Sequence, residues 1–158
     1  MKKLSLVLLF VLIMSSLSCT KDENPPSCQP TNVTMKINGE TFAYQAIGRG
    51  ISLRSWGYEL QLNFYRGTNQ PFTESGISLK LPFQATGKNI IQQFVYSQSV
   101  DQVYFIGDFT TGALESNVVM NTNNCFYATF SGNLNDGNQE IVITEGVISV
   151  EYEEPFGQ

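Results

Sequence analysis

The stretch that decides the fold is Tyr58-Glu59-Leu60-Gln61-Leu62-Asn63-Phe64-Tyr65. Tyr58, Leu60, Leu62 and Phe64 alternate with Glu59, Gln61, Asn63 and Tyr65, and a period of two marks a strand with one buried and one wet face. The same alternation recurs on both sides. Upstream, Val33, Met35 and Ile37 share a face, Asn38-Gly39 supplies two residues that tolerate positive φ, and Phe42 with Tyr44 begins a return strand. Downstream, Arg66 to Pro71 reads as a loop, after which Ile77, Leu79 and Leu81 alternate with Ser78 and Lys80. Pro82 ends that strand because it cannot donate to a ladder. β-formers over 88–96, 102–109 and Val118 to Met120 predict further strands. Phe126, Ala128 and Phe130 alternate again, Asn135-Asp136-Gly137-Asn138 reverses the chain, and Ile141 with Ile143 returns. Glu145-Gly146 marks a break or bulge before Ile148, Val150 and Tyr152 finish the ladder. The pattern predicts an all-β domain, either an antiparallel β-sandwich or a closed β-barrel of about 8–10 strands.

Composition agrees with one folded domain. The 158 residues are 42% hydrophobic and 15% charged, too apolar and too weakly charged for a disordered chain. Histidine is absent, which removes the usual general base near neutral pH, every Ser-His-Asp or Cys-His arrangement, and the commonest metal ligand.

The amino terminus carries an address. Lys2 and Lys3 precede the unbroken apolar run Leu6 to Met14, and Ser15 to Ser18 leads to Cys19. That is a secretory signal, since a membrane-spanning helix needs about 20 apolar residues. Ser16-Leu17-Ser18-Cys19 resembles the lipobox of bacterial lipoproteins, in which the cysteine thiol is acylated and becomes the first residue. Lys21, Asp22 and Glu23 behind it resemble the surface-export tag of Bacteroidota lipoproteins, which implies attachment to the outer membrane facing outward; a periplasm-facing anchor is the alternative. The chain then divides into a leader (1–18), an acylated cysteine with its tether (19–31), a single β-domain (32–154) and a frayed tail (155–158).

Nine basic residues stand against 14 acidic ones, and loss of Lys2 and Lys3 with the leader leaves seven against 14, a net charge of −7. Such a surface repels phosphate backbones and anionic headgroups, so no nucleic-acid partner is expected and membrane attachment falls to the acyl chains. With Cys19 acylated, Cys28 and Cys125 remain in an oxidising compartment, and an even remainder suggests one disulfide. Two separate thiols, with Cys125 as a small core residue, are the alternative.

Chemistry is sparse. Asp101, Asp108, Glu59, Glu74 and Glu115 are the acids that a glycosidase-like pair could draw on, but spacing pairs none of them. Asn133 to Asn138 offers oxygen ligands yet misses the calcium-loop order. Zinc spacing and phosphate-cradling glycine loops are absent, so no metal or cofactor is expected. One cluster stands out. Arg49, Arg54 and Arg66 are the only arginines, and Trp56, Tyr58 and Tyr65 lie among them. Trp, Tyr and Arg are enriched at binding hot spots, so the six form a candidate recognition surface for a glycan, a peptide or a neighbouring envelope protein. Ordinary strand geometry, with Tyr58 facing inward, Trp56 filling the core and the arginines keeping an acidic protein soluble, is the plainer explanation of them.

Several strings occur together in order: Ile37-Asn38-Gly39-Glu40-Thr41-Phe42, Ile77-Ser78-Leu79 followed by Gly87, Phe130-Ser131-Gly132, and Gly146-Val147-Ile148-Ser149-Val150. With the lipoprotein front end, the chain resembles, over most of its mature length, a family of small Bacteroidota surface lipoproteins defined by a domain of unknown function. The resemblance implies a β-rich fold and supplies no catalytic residues. The expectation is a lipid-anchored, non-enzymatic binding or interaction module. The alternatives are a carboxylate-dependent extracellular hydrolase or lyase, and a structural or inhibitory subunit of an envelope complex.

Overall fold

Ten strands make up the regular structure of the computed structural model, which describes residues 27–69, 72–100, 103–108, 113–135 and 139–157. The leader 1–18, Cys19, the Lys21-Asp22-Glu23 patch, Asp101 and Asp136 to Asn138 lie outside the described residues. The strands are β1 (Asn32–Ile37), β2 (Glu40–Arg54), β3 (Gly57–Asn69), β4 (Phe72–Pro82), β5 (Gly87–Lys88), β6 (Gln93–Val100), β7 (Val103–Asp108), β8 (Leu114–Asn121), β9 (Cys125–Asn135) and β10 (Glu140–Glu151). No helix occurs among the described residues.

All ten belong to one antiparallel sheet, in the order β10-β1-β2-β3-β4-β6-β7-β9-β8-β5, with β10 also paired to β9. The sheet therefore curls back toward its own start and forms a half-barrel. β7 reaches β9 through the single pairing Asp108–Asn135, whereas β8 occupies that edge of β9 from Gly132 to Phe126.

The alternation decides which face is buried. Leu60, Leu62 and Phe64 of β3 lie opposite Leu81, Leu79 and Ile77 of β4, and Leu79 and Ile77 in turn oppose Phe94 and Tyr96 of β6. All these side chains are buried. On the other side of the curl, Val33, Met35 and Ile37 join Ile143, Ile148 and Val150 of β10 and Phe126, Ala128 and Phe130 of β9 in the same core. Burying each of the larger apolar side chains contributes roughly 1.5–3 kcal/mol.

Backbone geometry supports two of the turns and bulges directly. Asn38 and Gly39 take φ of 49° and 89°, the pair of positive values that a tight hairpin between β1 and β2 requires. The Asn38 side chain also accepts the Val142 N–H at 3.0 Å, fastening the turn to β10. In β10 the register slips between Ile143 and Gly146, with Glu145 at φ 51°. A Cβ on Gly146 would come within 2.6 Å of the Phe130 ring, so only glycine fits beneath that aromatic.

Three expectations change. Arg66 to Asn69, expected as loop, is strand: β3 continues through Asn69, pairing Arg66 with Ser75 and Asn69 with Phe72, while residues 70 and 71 lie outside the described residues. Its polar composition concealed a ladder that needs only backbone groups. The predicted strand over 88–96 splits into β5 and β6, because Asn89 turns at φ 55° and Ile90 and Ile91 pack against the core instead of pairing. The tail is not frayed over residues 155–157. The Phe156 N–H donates to the Asn123 carbonyl at 2.9 Å, and its ring packs edge-on against Phe83 and Tyr152 at 5.5 and 5.1 Å.

That tail closes one end of the half-barrel, where β1 begins, β2 turns into β3, β4 ends, β8 turns into β9 and β10 ends. The amino-terminal segment joins the same end. Cys28 and Cys125 form a disulfide with a Cα separation of 5.7 Å, spanning 97 residues of sequence. Gln29 and Thr31 are bound to β10 as well: the Ser149 hydroxyl donates to the Gln29 carbonyl, and the Glu151 N–H to the Thr31 hydroxyl, each at 3.2 Å. Residues 28–31, expected as spacer, are therefore part of the folded domain.

Candidate functional site

The six Arg, Trp and Tyr candidates all lie on the β2–β3 hairpin, and the structure divides them among three places. Arg49 sits in a slit where β2 departs from β1 and faces the end of β10. Its guanidinium stacks 4.6 Å from the centroids of both Tyr152 and Phe156 and donates to the Glu154 carbonyl. A cavity of about 670 Å³ opens here, with Gln45, Ile47 and Glu153 also on its walls. Arg49 thus clamps the carboxy-terminal segment, and its charge is held by aromatic faces and a backbone oxygen. Its Nη1 and the Tyr152 hydroxyl are buried with no hydrogen-bond partner.

Tyr65 and Arg66 lie near the opposite end. The Tyr65 hydroxyl donates to Glu74 at 3.0 Å, and this bond raises its pKa above the ordinary phenol value. The Arg66 guanidinium lies 4.6 Å over the Phe42 ring. Behind it, inside the half-barrel, the Ser75 hydroxyl donates to Tyr44 and the Tyr96 hydroxyl to Gln98. Burial pushes the Tyr44 and Tyr96 phenols up, as it does Tyr152, so all three are neutral at physiological pH.

Arg54, Trp56 and Tyr58 form the tip. Ser55 and Trp56 are the only residues between the paired Arg54 and Gly57, and the turn is relieved by Gly57 at φ 131°. Leu53 is paired with Tyr58 across the hairpin. These two continue the inward face of Ile51 and Leu60 beyond the point where the core stops, so they stand in solvent. Leu53 is 71% exposed, Tyr58 57% and Trp56 50%. Trp56 does not fill the core. Arg54 contacts Glu59 Oε1 through Nη2 at 2.7 Å and Nε at 3.1 Å, which neutralises the one cation at the tip. An ion pair this exposed contributes less than about 1 kcal/mol to stability.

Leu53 was missed by sequence reasoning, although Ile51 and Leu53 alternate with Ser52 and Arg54. The flanking Gly48 and Gly50 hid a strand that runs for 15 residues.

The described candidate acids Glu59, Glu74 and Glu115 lie apart from one another. Glu59 is paired with Arg54, and Glu74 accepts from Tyr65 at the far end of the β3–β4 ladder. Glu115 borders an open groove of about 630 Å³ on the outer face of β8, β9 and β10, together with Lys88, Asn117, Ser131 and Glu145. Glu145 is engaged by Lys36 at 2.6 Å. Asn133 lies within β9, and its amide donates to Glu140. Among the described residues no group of three or more His, Cys, Asp or Glu is placed to hold a metal ion. Compared with protein-family models, with curated proteins and with solved structures, the chain matches none.

Proposed function

We propose that this chain is a lipid-anchored envelope protein of the Bacteroidota surface-lipoprotein kind, and that its domain acts as a contact module without catalytic chemistry. Acylation at Cys19 and outward display through Lys21, Asp22 and Glu23 are the parts read from sequence. The Cys28–Cys125 disulfide supports an oxidising compartment, because such bridges are rare in the cytosol. The ladders joining β9, β10 and β1 support the barrel form of the fold over the sandwich.

The observation that carries the reading is the hairpin tip. Leu53, Trp56 and Tyr58 are large, exposed and adjacent, their only neighbouring cation among the described residues is paired with Glu59, and they project from the end at which the anchored segment enters the domain. Exposed aromatic and aliphatic side chains gathered in this way mark an interaction site more often than a structural one. A carboxylate-dependent hydrolase needs two acids facing each other across a cleft. Glu59 and Glu74 instead stand at opposite ends of one hairpin, and of the two acids that share the outer groove, Glu115 and Glu145, the second is engaged by Lys36.

The test combines labelling with an alkyne-tagged fatty acid and protease shaving of intact cells. The label should be incorporated by the natural chain and lost in Cys19→Ser, and shaving should remove the domain. An unlabelled natural chain would overturn the anchor. A labelled domain that survives shaving would place it on the periplasmic side.

A further inference from the structure

The contact made by the tip follows from where the anchored segment leaves the domain. This inference rests on the lipid-anchor reading above. Eight residues, Thr20 to Ser27, separate Cys19 from Cys28, and the disulfide fixes Cys28 to β9. A fully extended chain of that length spans at most about 30 Å. The β2–β3 hairpin is longer: the 13 residues of β3 extend roughly 40 Å. So short a connection holds the Cys28 end of the domain toward the bilayer and keeps the opposite end away from it.

The hairpin tip belongs to the Cys28 end, by a continuous set of contacts. The Tyr58 carbonyl accepts the Phe83 N–H at 2.8 Å, Phe83 packs on Phe156, and the Phe156 N–H donates to the Asn123 carbonyl, two residues from Cys125. Leu53, Trp56 and Tyr58 are therefore presented to the membrane that holds the acyl chains. We propose that these three side chains seat in the interfacial layer of that bilayer, making the tip a second, non-covalent membrane contact.

Chemistry favours lipid over a protein partner. Trp and Tyr pair an apolar ring with a polar edge, the combination enriched at the membrane–water boundary. A stable protein interface buries about 800 Å² on each side, more than three side chains on a two-residue turn supply. A bilayer needs no matching shape, and the anchor already provides a high local concentration. Charge plays little part, because Arg54 is paired with Glu59 and the exposed Glu151, Glu153 and Glu154 near the same end oppose anionic headgroups. The contact is apolar.

Trp56 is the sole tryptophan of the chain, so its fluorescence reports on the tip alone. The acylated full-length protein would be reconstituted into vesicles of phosphatidylethanolamine and phosphatidylglycerol bearing brominated acyl chains, then floated on a gradient. The expected result is co-flotation with a blue-shifted Trp56 emission, quenched by bromine and shielded from acrylamide. In Leu53→Ser/Tyr58→Ser, which keeps the reporter, flotation should persist while the blue shift and bromine quenching fall. Co-flotation with unshifted, unquenched Trp56 overturns the seat and leaves the anchor standing, with the tip free for a protein or glycan. Failure of the natural chain to float overturns the anchor, and this inference with it.

Discussion

Replacing Cys28 with serine should destabilise the domain by about 2–3 kcal/mol. The bridge closes a loop of 97 residues, and the chain-entropy relation assigns a loop of that size close to 4.7 kcal/mol of lost freedom in the unfolded state. The folded state also gains freedom on reduction, which lowers the net effect. Without the bridge, residues 28–31 are held to β10 by two hydrogen bonds from Ser149 and Glu151, and each backbone residue released recovers roughly 1–2 kcal/mol of entropy. Cys28 is the better site, because Cys125 is buried and its replacement would add a packing defect. Urea unfolding of the oxidised natural chain against Cys28→Ser measures the difference, and the denaturant slope should rise as the unfolded state loses its cross-link. The midpoint temperature should fall on the order of 10 °C. A difference below about 1 kcal/mol, or full alkylation of both cysteines in the native unreduced protein, would refute the reasoning.

Leu60→Ala should cost about 2–5 kcal/mol in the same assay, whereas Tyr58→Ala, two residues earlier on the same face, should cost less than about 1 kcal/mol because the core ends between them. Gly146→Ala should cost roughly 1–3 kcal/mol, since the added methyl meets the Phe130 ring; an unchanged unfolding curve would contradict that contact. Tyr152→Phe should be neutral or stabilising by up to about 1 kcal/mol, because the hydroxyl removed is buried without a partner. Alkaline pH should unfold the protein. Tyr44, Tyr96 and Tyr152 have pKa values raised above 10.0, so the unfolded chain gives up these protons first. Their contribution is complete below about pH 10 and declines above it, and tyrosinate absorbance from the three should appear together with loss of structure. Ionisation of all seven tyrosines ahead of unfolding would contradict their burial.

The all-β class was legible because Leu60, Leu62 and Phe64 or Ile77, Leu79 and Leu81 repeat with a period set by the backbone itself. The Asn38-Gly39 hairpin was legible because both residues tolerate the φ values found there. Strands built from polar residues were not. Arg66 to Asn69 pairs through its peptide groups, and side-chain hydropathy carries no record of that, while over Gln45 to Arg54 Gly48 and Gly50 interrupt the alternation that Ile51 and Leu53 carry. The candidate site was half legible. Arginine and aromatic enrichment marked the β2–β3 hairpin, on which all six residues lie, but alternation cannot tell where along a strand the core stops. Sequence therefore leaves Trp56 and Tyr58 ambiguous between core and surface, does not mark Leu53, and cannot show that Arg49 lies apart from the hairpin tip. The docking of Phe156 depends on Phe83, Asn123 and Arg49, which lie 33 to 107 positions away, and no local pattern announces it.

The disulfide also decides where a pull on the anchor would enter the fold. Without it, tension along the tether would arrive at Thr31 and Asn32, at the free start of β1, and would open the β1 ladders one pairing at a time. With it, the load passes from Cys28 into Cys125 at the start of β9, a strand paired with β8 on one side and β10 on the other. Those ladders pair Cys125 with Glu151 and Phe126 with both Val150 and Asn121, so the force is shared across two neighbours from the first residues onward. The carboxy-terminal segment reinforces the same corner, since the Tyr152 N–H donates to the Asn124 carbonyl and Phe156 is held by Asn123. Under the proposed anchor, tension would enter at that corner, where the chain has its covalent bridge, its aromatic closure and its Arg49 clamp.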